Sequence, residues 1–227
     1  MSAIAFDLEI AWLPEPGQQP DPEDGLGISV AAGVTNTGVV HVWHGASFAS
    51  RMSAAEVREM ILDLSTYEKI ITWNGAAFDF YVLGVEADDL NMARQLARGS
   101  QHIDLMMLFC ATRRHRLGLK TAAAACGSHK GGGGIESGID APALWAQGEC
   151  SRAIEYVTQD AQATWDVYRW MLDRGGFTWV SKKGYPMPYR PHLPIDKWSV
   201  SALLEEPWIT QERWITAPVV KDDFVRW

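Results

Sequence analysis

From Ala3 to Ile10 the chain reads Ala-Ile-Ala-Phe-Asp-Leu-Glu-Ile, a short apolar run suited to a buried strand. Residues two apart on a strand share a face, so Asp7 and Glu9 project together. Two hairpin strands are expected through about Ile28 to Val34 and Val39 to His44, with Thr35-Asn36-Thr37-Gly38 as the turn. Ser53 precedes a helix and carries Glu56 at the capping-box position. Lys69 to Trp73 is strand-like, and Asn74-Gly75 then breaks it. Asn-Gly also reads as a hairpin turn, but Ala76 to Leu83 lacks strand alternation and predicts a helix carrying Asp79 on its first turns. Helices are expected near 76 to 98, 117 to 126, 141 to 147 and 151 to 174, with an extended piece near 102 to 105. In the last helix Ile154, Val157, Ala161, Thr164, Trp165, Tyr168 and Met171 recur at three and four. Tyr156 and Asp160 are four apart and stack on one face. Asp166 is turned away from that face and reads as a surface charge.

The tail changes character. Beyond Gly175 it holds Trp179, Trp198, Trp208, Trp214 and Trp227, together with Pro186, Pro188, Pro191, Pro194, Pro207 and Pro218. Aromatic residues of this kind either stack on bases or pack, and packing on the core or a second subunit is the expectation. The chain therefore divides into residues 1–174 and an extension, 175–227. Residues 25 to 50 contain no Asp, Glu, Lys or Arg, but the turn at Thr35–Gly38 makes two strands of them and no membrane span. A start without basic residues argues against a signal peptide. Three widely spaced cysteines, Cys110, Cys126 and Cys150, fit a reducing cytoplasm.

The net charge is −8, which excludes broad electrostatic coating of nucleic acid. Basic residues cluster in Arg113-Arg114-His115-Arg116 with Lys120, candidates for phosphate contact, and again at His129-Lys130 and Lys182-Lys183. Gly131 to Gly134 lacks the Gly-Lys-Ser/Thr ending of a phosphate-binding loop and reads as a flexible loop over a cleft. Cys126-x-x-His129 is half of a zinc pattern with no second pair nearby.

Four carboxylates remain, each at an end of an apolar segment, where a charge is costly unless compensated. They are Asp7 and Glu9 in Phe6-Asp7-Leu8-Glu9, Asp79 in Asn74-Gly75-Ala76-Ala77-Phe78-Asp79, and Asp160 in Tyr156-Val157-Thr158-Gln159-Asp160. A divalent cation would compensate all four. The three motifs, in this order and at these separations, resemble those of the DEDD-type, DnaQ-like 3′-5′ exonucleases of the RNase H-like superfamily, in the subgroup ending in Tyr-x-x-x-Asp. The resemblance covers residues 1 to about 174 and implies an α/β fold with a mixed sheet flanked by helices.

It further implies hydrolysis of phosphodiester bonds from a 3′ end with two divalent ions, Mg²⁺ or Mn²⁺. Asp7, Glu9, Asp79 and Asp160 would be the metal ligands, and Tyr156 would position water. Asn74 and Phe78, with Arg113, Arg114, Arg116 and Lys120, become candidates for substrate contact, and Asp104 is expected to be structural. An unperturbed tyrosine titrates near about 10, so activity is expected to climb on the alkaline side. The tail is similar to an extension on stand-alone exonucleases related to polymerase proofreading domains, which favours single-stranded DNA. RNA trimming at the same site and a noncatalytic binding module stay open as alternatives.

Overall fold

β1 (Ala3–Ile10) is the central strand of a five-stranded sheet ordered β3-β2-β1-β4-β5, in which β2 (Ile28–Thr35) and β3 (Val40–His44) run antiparallel and β4 (Lys69–Thr72) and β5 (His102–Asp104) parallel to it. The computed structural model describes residues 2–11, 25–47, 49–135, 138–192 and 194–205. The helices are α1 (Ala54–Ser65), α2 (Asp79–Glu86), α3 (Leu90–Ala97), α4 (Leu105–Arg113), α5 (Leu119–Ala125), α6 (Ala141–Ala146), α7 (Cys150–Arg174) and α8 (Val200–Glu205). A small hairpin, β6 (Phe177–Val180) and β7 (Pro186–Tyr189), follows α7. The result is the expected mixed sheet flanked by helices.

β1 and β2 are covered on both faces, which is why both are apolar along nearly their whole length. Asp7 pairs with Ala32 and Glu9 with Val30, and paired residues share a face. Val30 and Ala32 pack with Trp145 of α6 and with Ala153 and Val157 of α7. That face therefore delivers the two acids to α7. On the opposite face Phe6 meets Trp43 and Phe80, with ring centroids 6.1 and 6.4 Å apart, in the larger core that includes Val57, Met60, Ile61 and Leu64 of α1. The β1–β2 register shifts between Glu9 and Ile10, and the Ser29 hydroxyl ties off the irregularity by donating to Glu9 O at 2.9 Å and Ile10 O at 3.1 Å.

α1 starts as expected, with the Ser53–Glu56 capping box formed. Elsewhere the elements differ from expectation. The helix predicted from Ala76 begins only at Asp79, because Asn74 to Phe78 form a turn with Asn74 at φ 75°. The extended piece at 102–105 ends at Asp104, and α4 follows directly. Every residue of α4 from Leu105 to Ala111 is buried, so the segment has no polar face and no helical period to read. The tail also holds structure that its prolines hide: Pro186 and Pro188 lie in β7 of a two-stranded ribbon, where missing N–H groups are tolerated.

The described part of the tail packs on the core. Phe109 of α4 meets Tyr189 at 4.8 Å and Trp179 at 5.3 Å, and α8 lies against β5 and α4. Trp208, Trp214, Trp227, Pro207 and Pro218 lie outside the described residues. Among the described residues no helix is long and apolar enough to cross a membrane.

Candidate metal centre

The strand pair and α7 converge on one point. Carboxylate oxygens of Asp7, Glu9 and Asp160 lie within 4.8 Å of one another, and Glu9 and Asp160 are buried. Tyr156 sits one helical turn before Asp160 with its side chain fully buried. Asp79, at the first position of α2, accepts hydrogen bonds from its own N–H and from that of Leu8. It stands outside the three-acid group but faces it: after burial, its charge is the strongest influence on Asp7.

Four acids in so little solvent repel one another. Burial raises the Asp7 pKa, and Asp79, Asp160 and Glu9 raise it further. Glu9 is raised by burial and by Asp160, and burial pushes Asp79 up to about 7 against the pull of its backbone hydrogen bonds. Asp160 is raised by burial and held back by Lys130. Tyr156 is pushed well above the ordinary phenol range, chiefly by burial.

Among the described residues, Lys130 is the cation that reaches these acids. Its ammonium pairs with Asp160 Oδ2 and lies 4.9 Å from the centre of the Tyr156 ring. Burial opposes its charge, but Asp7 and Asp160 outweigh that and its pKa rises. The sequence shows Lys130 only as half of a basic pair with His129 and the glycines after it as a loop over a cleft; the fold turns the lysine toward the acids and hydrogen-bonds the glycine segment to α7. Gly131 N–H donates to Asp160 Oδ1 at 3.0 Å, and a methyl group on Gly133, at φ 59°, would collide with Arg152 O on α7. The glycines permit close approach of this segment, a strap, to the helix. Farther on, a methyl on Gly138 would stand 3.2 Å from Glu9 Oε2, so the segment also passes close to the Glu9 carboxylate. The available signal was a lysine directly beside four glycines in an acidic chain.

Asp104 holds the middle motif in place, as expected of a structural acid. Its carboxylate accepts from the N–H groups of Asn74 (3.1 Å), Ala76 (2.9 Å) and Met107 (2.9 Å), the last capping α4. Asn74 Oδ1 is buried without a hydrogen-bond partner, and Phe78 packs against the core at the start of α2. The other candidates for substrate contact gather elsewhere. Arg113 stands 5.5 Å over the Trp179 ring, Arg114 takes the left-handed cap of α4, Arg116 is exposed between α4 and α5, and Lys120 is exposed on the first turn of α5. Trp73 Nε1 donates to Leu117 O at 3.1 Å, which ties this basic stretch to the end of β4.

The donor set suits a hard divalent ion. Carboxylate oxygens alone converge here, and such sites favour Mg²⁺ or Mn²⁺ over softer metals. All four acids are raised chiefly by burial, and Asp7 and Glu9 further by neighbouring acids, so a divalent ion would favour charged forms that one ammonium compensates only in part.

Residues 25–172 match the RNase_H_2 family, described as RNase_H superfamily. The fold is similar to that of the family B DNA polymerase from the hyperthermophilic archaeon Pyrobaculum calidifontis, with a TM-score of 0.58 and 17% sequence identity over 92% of this chain and 28% of that one. The chain thus spans little more than a quarter of the polymerase's length. No curated protein matches it.

Proposed function

Because this chain belongs to the RNase H superfamily, we propose that it is a metal-dependent 3′-5′ exonuclease of the tyrosine-type DEDD subgroup, acting on single-stranded DNA. The observation that carries this reading is the meeting of Asp7, Glu9 and Asp160, with Asp79 facing them and Tyr156 one turn from Asp160. The polymerase whose fold the chain shares acts on DNA, which supports DNA over RNA.

Asp7, Glu9 and Asp160 would hold one divalent ion, and Asp7 with Asp79 a second. Such ions supply Lewis acidity toward the phosphate oxygens and lower the pKa of water. The chain's own residues do the rest. Asp104 fixes the turn that presents Asp79. Tyr156, held protonated by its burial, donates a hydrogen bond that orients the attacking water. Asn74 Oδ1, buried and unpartnered, is an acceptor for the terminal nucleotide beside Phe78. Arg113, Arg114, Arg116 and Lys120 contact the phosphates upstream of the terminus.

The test is digestion of a 5′-labelled strand with Mn²⁺ or Mg²⁺. Wild-type protein should give a ladder shortening from the 3′ end, blocked by a 3′ cap, and Asp7→Ala or Asp160→Ala should abolish it. Equal degradation by the variants would refute the site. Faster loss of a matched RNA strand would make the substrate RNA, and lasting retention of an intact strand would make the chain a binding module.

A further inference from the structure

The strap from Ser128 to Gly134 is bonded along α7 in reverse order. Ser128 Oγ donates to Asp166 Oδ2 at 2.6 Å, while Asp166 Oδ1 accepts from Gln162 Nε2 at 2.8 Å. Gln159 Nε2 donates to His129 O at 3.0 Å, and Arg152 Nε donates to Gly133 O at 2.6 Å. Asp166, Gln159 and Arg152 lie seven residues apart in turn, about two helical turns each. Anchors spread over some four turns fix the strap's register along the helix as well as its distance from it. Asp166, expected to be a solvated surface charge, is therefore part of this attachment.

Lys130 lies inside the attached stretch. Its neighbour on one side is held through His129 O, and on the other through Gly131 N–H. With both flanks fixed, the Lys130 backbone is held within side-chain reach of the acids. A divalent ion approaching the same carboxylates meets a like charge in a poorly solvated site. We infer that Asp166, Gln159 and Arg152 are positioning residues: they hold the strap in register on α7 so that Lys130 keeps its ammonium among Asp7, Glu9 and Asp160, in competition with a divalent ion. The inference rests on the metal-site reading above. Metal affinity is then set partly outside the ligand sphere, by the strength of the strap's attachment.

Calorimetric titration of the full chain with Mn²⁺ tests this. Lys130→Met should tighten Mn²⁺ binding. Ser128→Ala and Gln159→Ala should each tighten it by about threefold or more, the coupling expected of groups sharing one network. Combined with Lys130→Met, neither should add anything further. Asp166→Asn keeps an oxygen for the Ser128 hydroxyl and should remain near wild type, whereas Asp166→Ala should behave like Ser128→Ala. If Asp166→Ala does not fold, Ser128→Ala removes the same hydrogen bond from the strap side. Unchanged Mn²⁺ affinity in Ser128→Ala and Gln159→Ala, or an equal change with and without Lys130, would overturn the inference while leaving the metal site standing. Absence of Mn²⁺ binding in wild type and Lys130→Met alike would remove the metal site itself, and the inference with it.

Discussion

Lys130 and Asp160, thirty residues apart, form an ion pair in which the carboxylate side chain is 1% exposed and the ammonium side chain 25%. Removing one partner of such a pair strands the other in a medium that solvates it poorly. The cluster of acids therefore carries a counter-charge of its own.

Tyr156 has its pKa raised by burial, with Asp160 and Glu9 adding to the effect. It stays protonated through the neutral range and does not supply the alkaline limb that an unperturbed tyrosine would. Tyr156→Phe should lower kcat by about a hundredfold, the lower end of proton-handling contributions, and leave the shape of the pH–rate profile unchanged. Loss of an alkaline limb in the variant would show that the hydroxyl titrates after all.

Asp79 titrates at about 7 when folded, against 3.8 ordinarily. A carboxyl raised in the folded state holds a proton that the unfolded chain has already released. Its stabilising contribution is complete below about pH 4 and lost as pH climbs through about 7, amounting to a few kcal/mol. In EDTA, thermal unfolding should show the protein losing stability over that window, and Asp79→Asn should flatten the loss. Mn²⁺ should restore stability most at the alkaline end, where the carboxylates are free to bind it. A metal-free protein that gains stability across the window would contradict this reading.

Asp104 accepts three backbone hydrogen bonds from two separate segments. Asp104→Ala leaves those donors buried and unpaired, and should cost about 2 to 4 kcal/mol in denaturant unfolding. Asp79 loses its fixed approach at the same time, so nuclease activity of the folded fraction should fall about tenfold to a hundredfold, as for other residues supporting metal ligands. Undiminished activity would separate the turn at Asn74 from the chemistry.

Gly133→Ala brings a methyl group against Arg152 O at a backbone angle that alanine avoids. The strap should lift while the sheet and α7 stay folded. Amide exchange at Gly131, whose N–H is held by Asp160, should accelerate by about tenfold or more, with the thermal midpoint moving only a few degrees. Unaltered exchange there would mean that the strap tolerates the extra carbon.

Local patterns explain what could be read before the fold was known. Asp7 and Glu9 share a strand face, and Tyr156 and Asp160 share a helix face, so each half of the centre is written in adjacent residues. The apolar run of β1, the capping box of α1 and the helical period of α7 are equally local. α4 was not legible because it is buried all round, and the β6–β7 hairpin was masked by Pro186 and Pro188. Lys130 was missed for a different reason. Its place depends on a strap laid against a helix that comes later in the chain, and neither segment alone signals that encounter.

The seam between Gly132–Gly133 and α7 involves the carbonyl oxygens of Glu155 and Arg152, atoms that every amino acid supplies. On the helix side, position 155 can therefore change its side chain without touching the seam. On the strap side an added carbon at Gly133 collides with Arg152 O, while one at Gly132 would stand 3.1 Å from Glu155 O. Tolerance to substitution is thus lopsided across a single contact: broad where the surface is made of main chain belonging to a rigid element, and almost nil where closeness itself is the requirement.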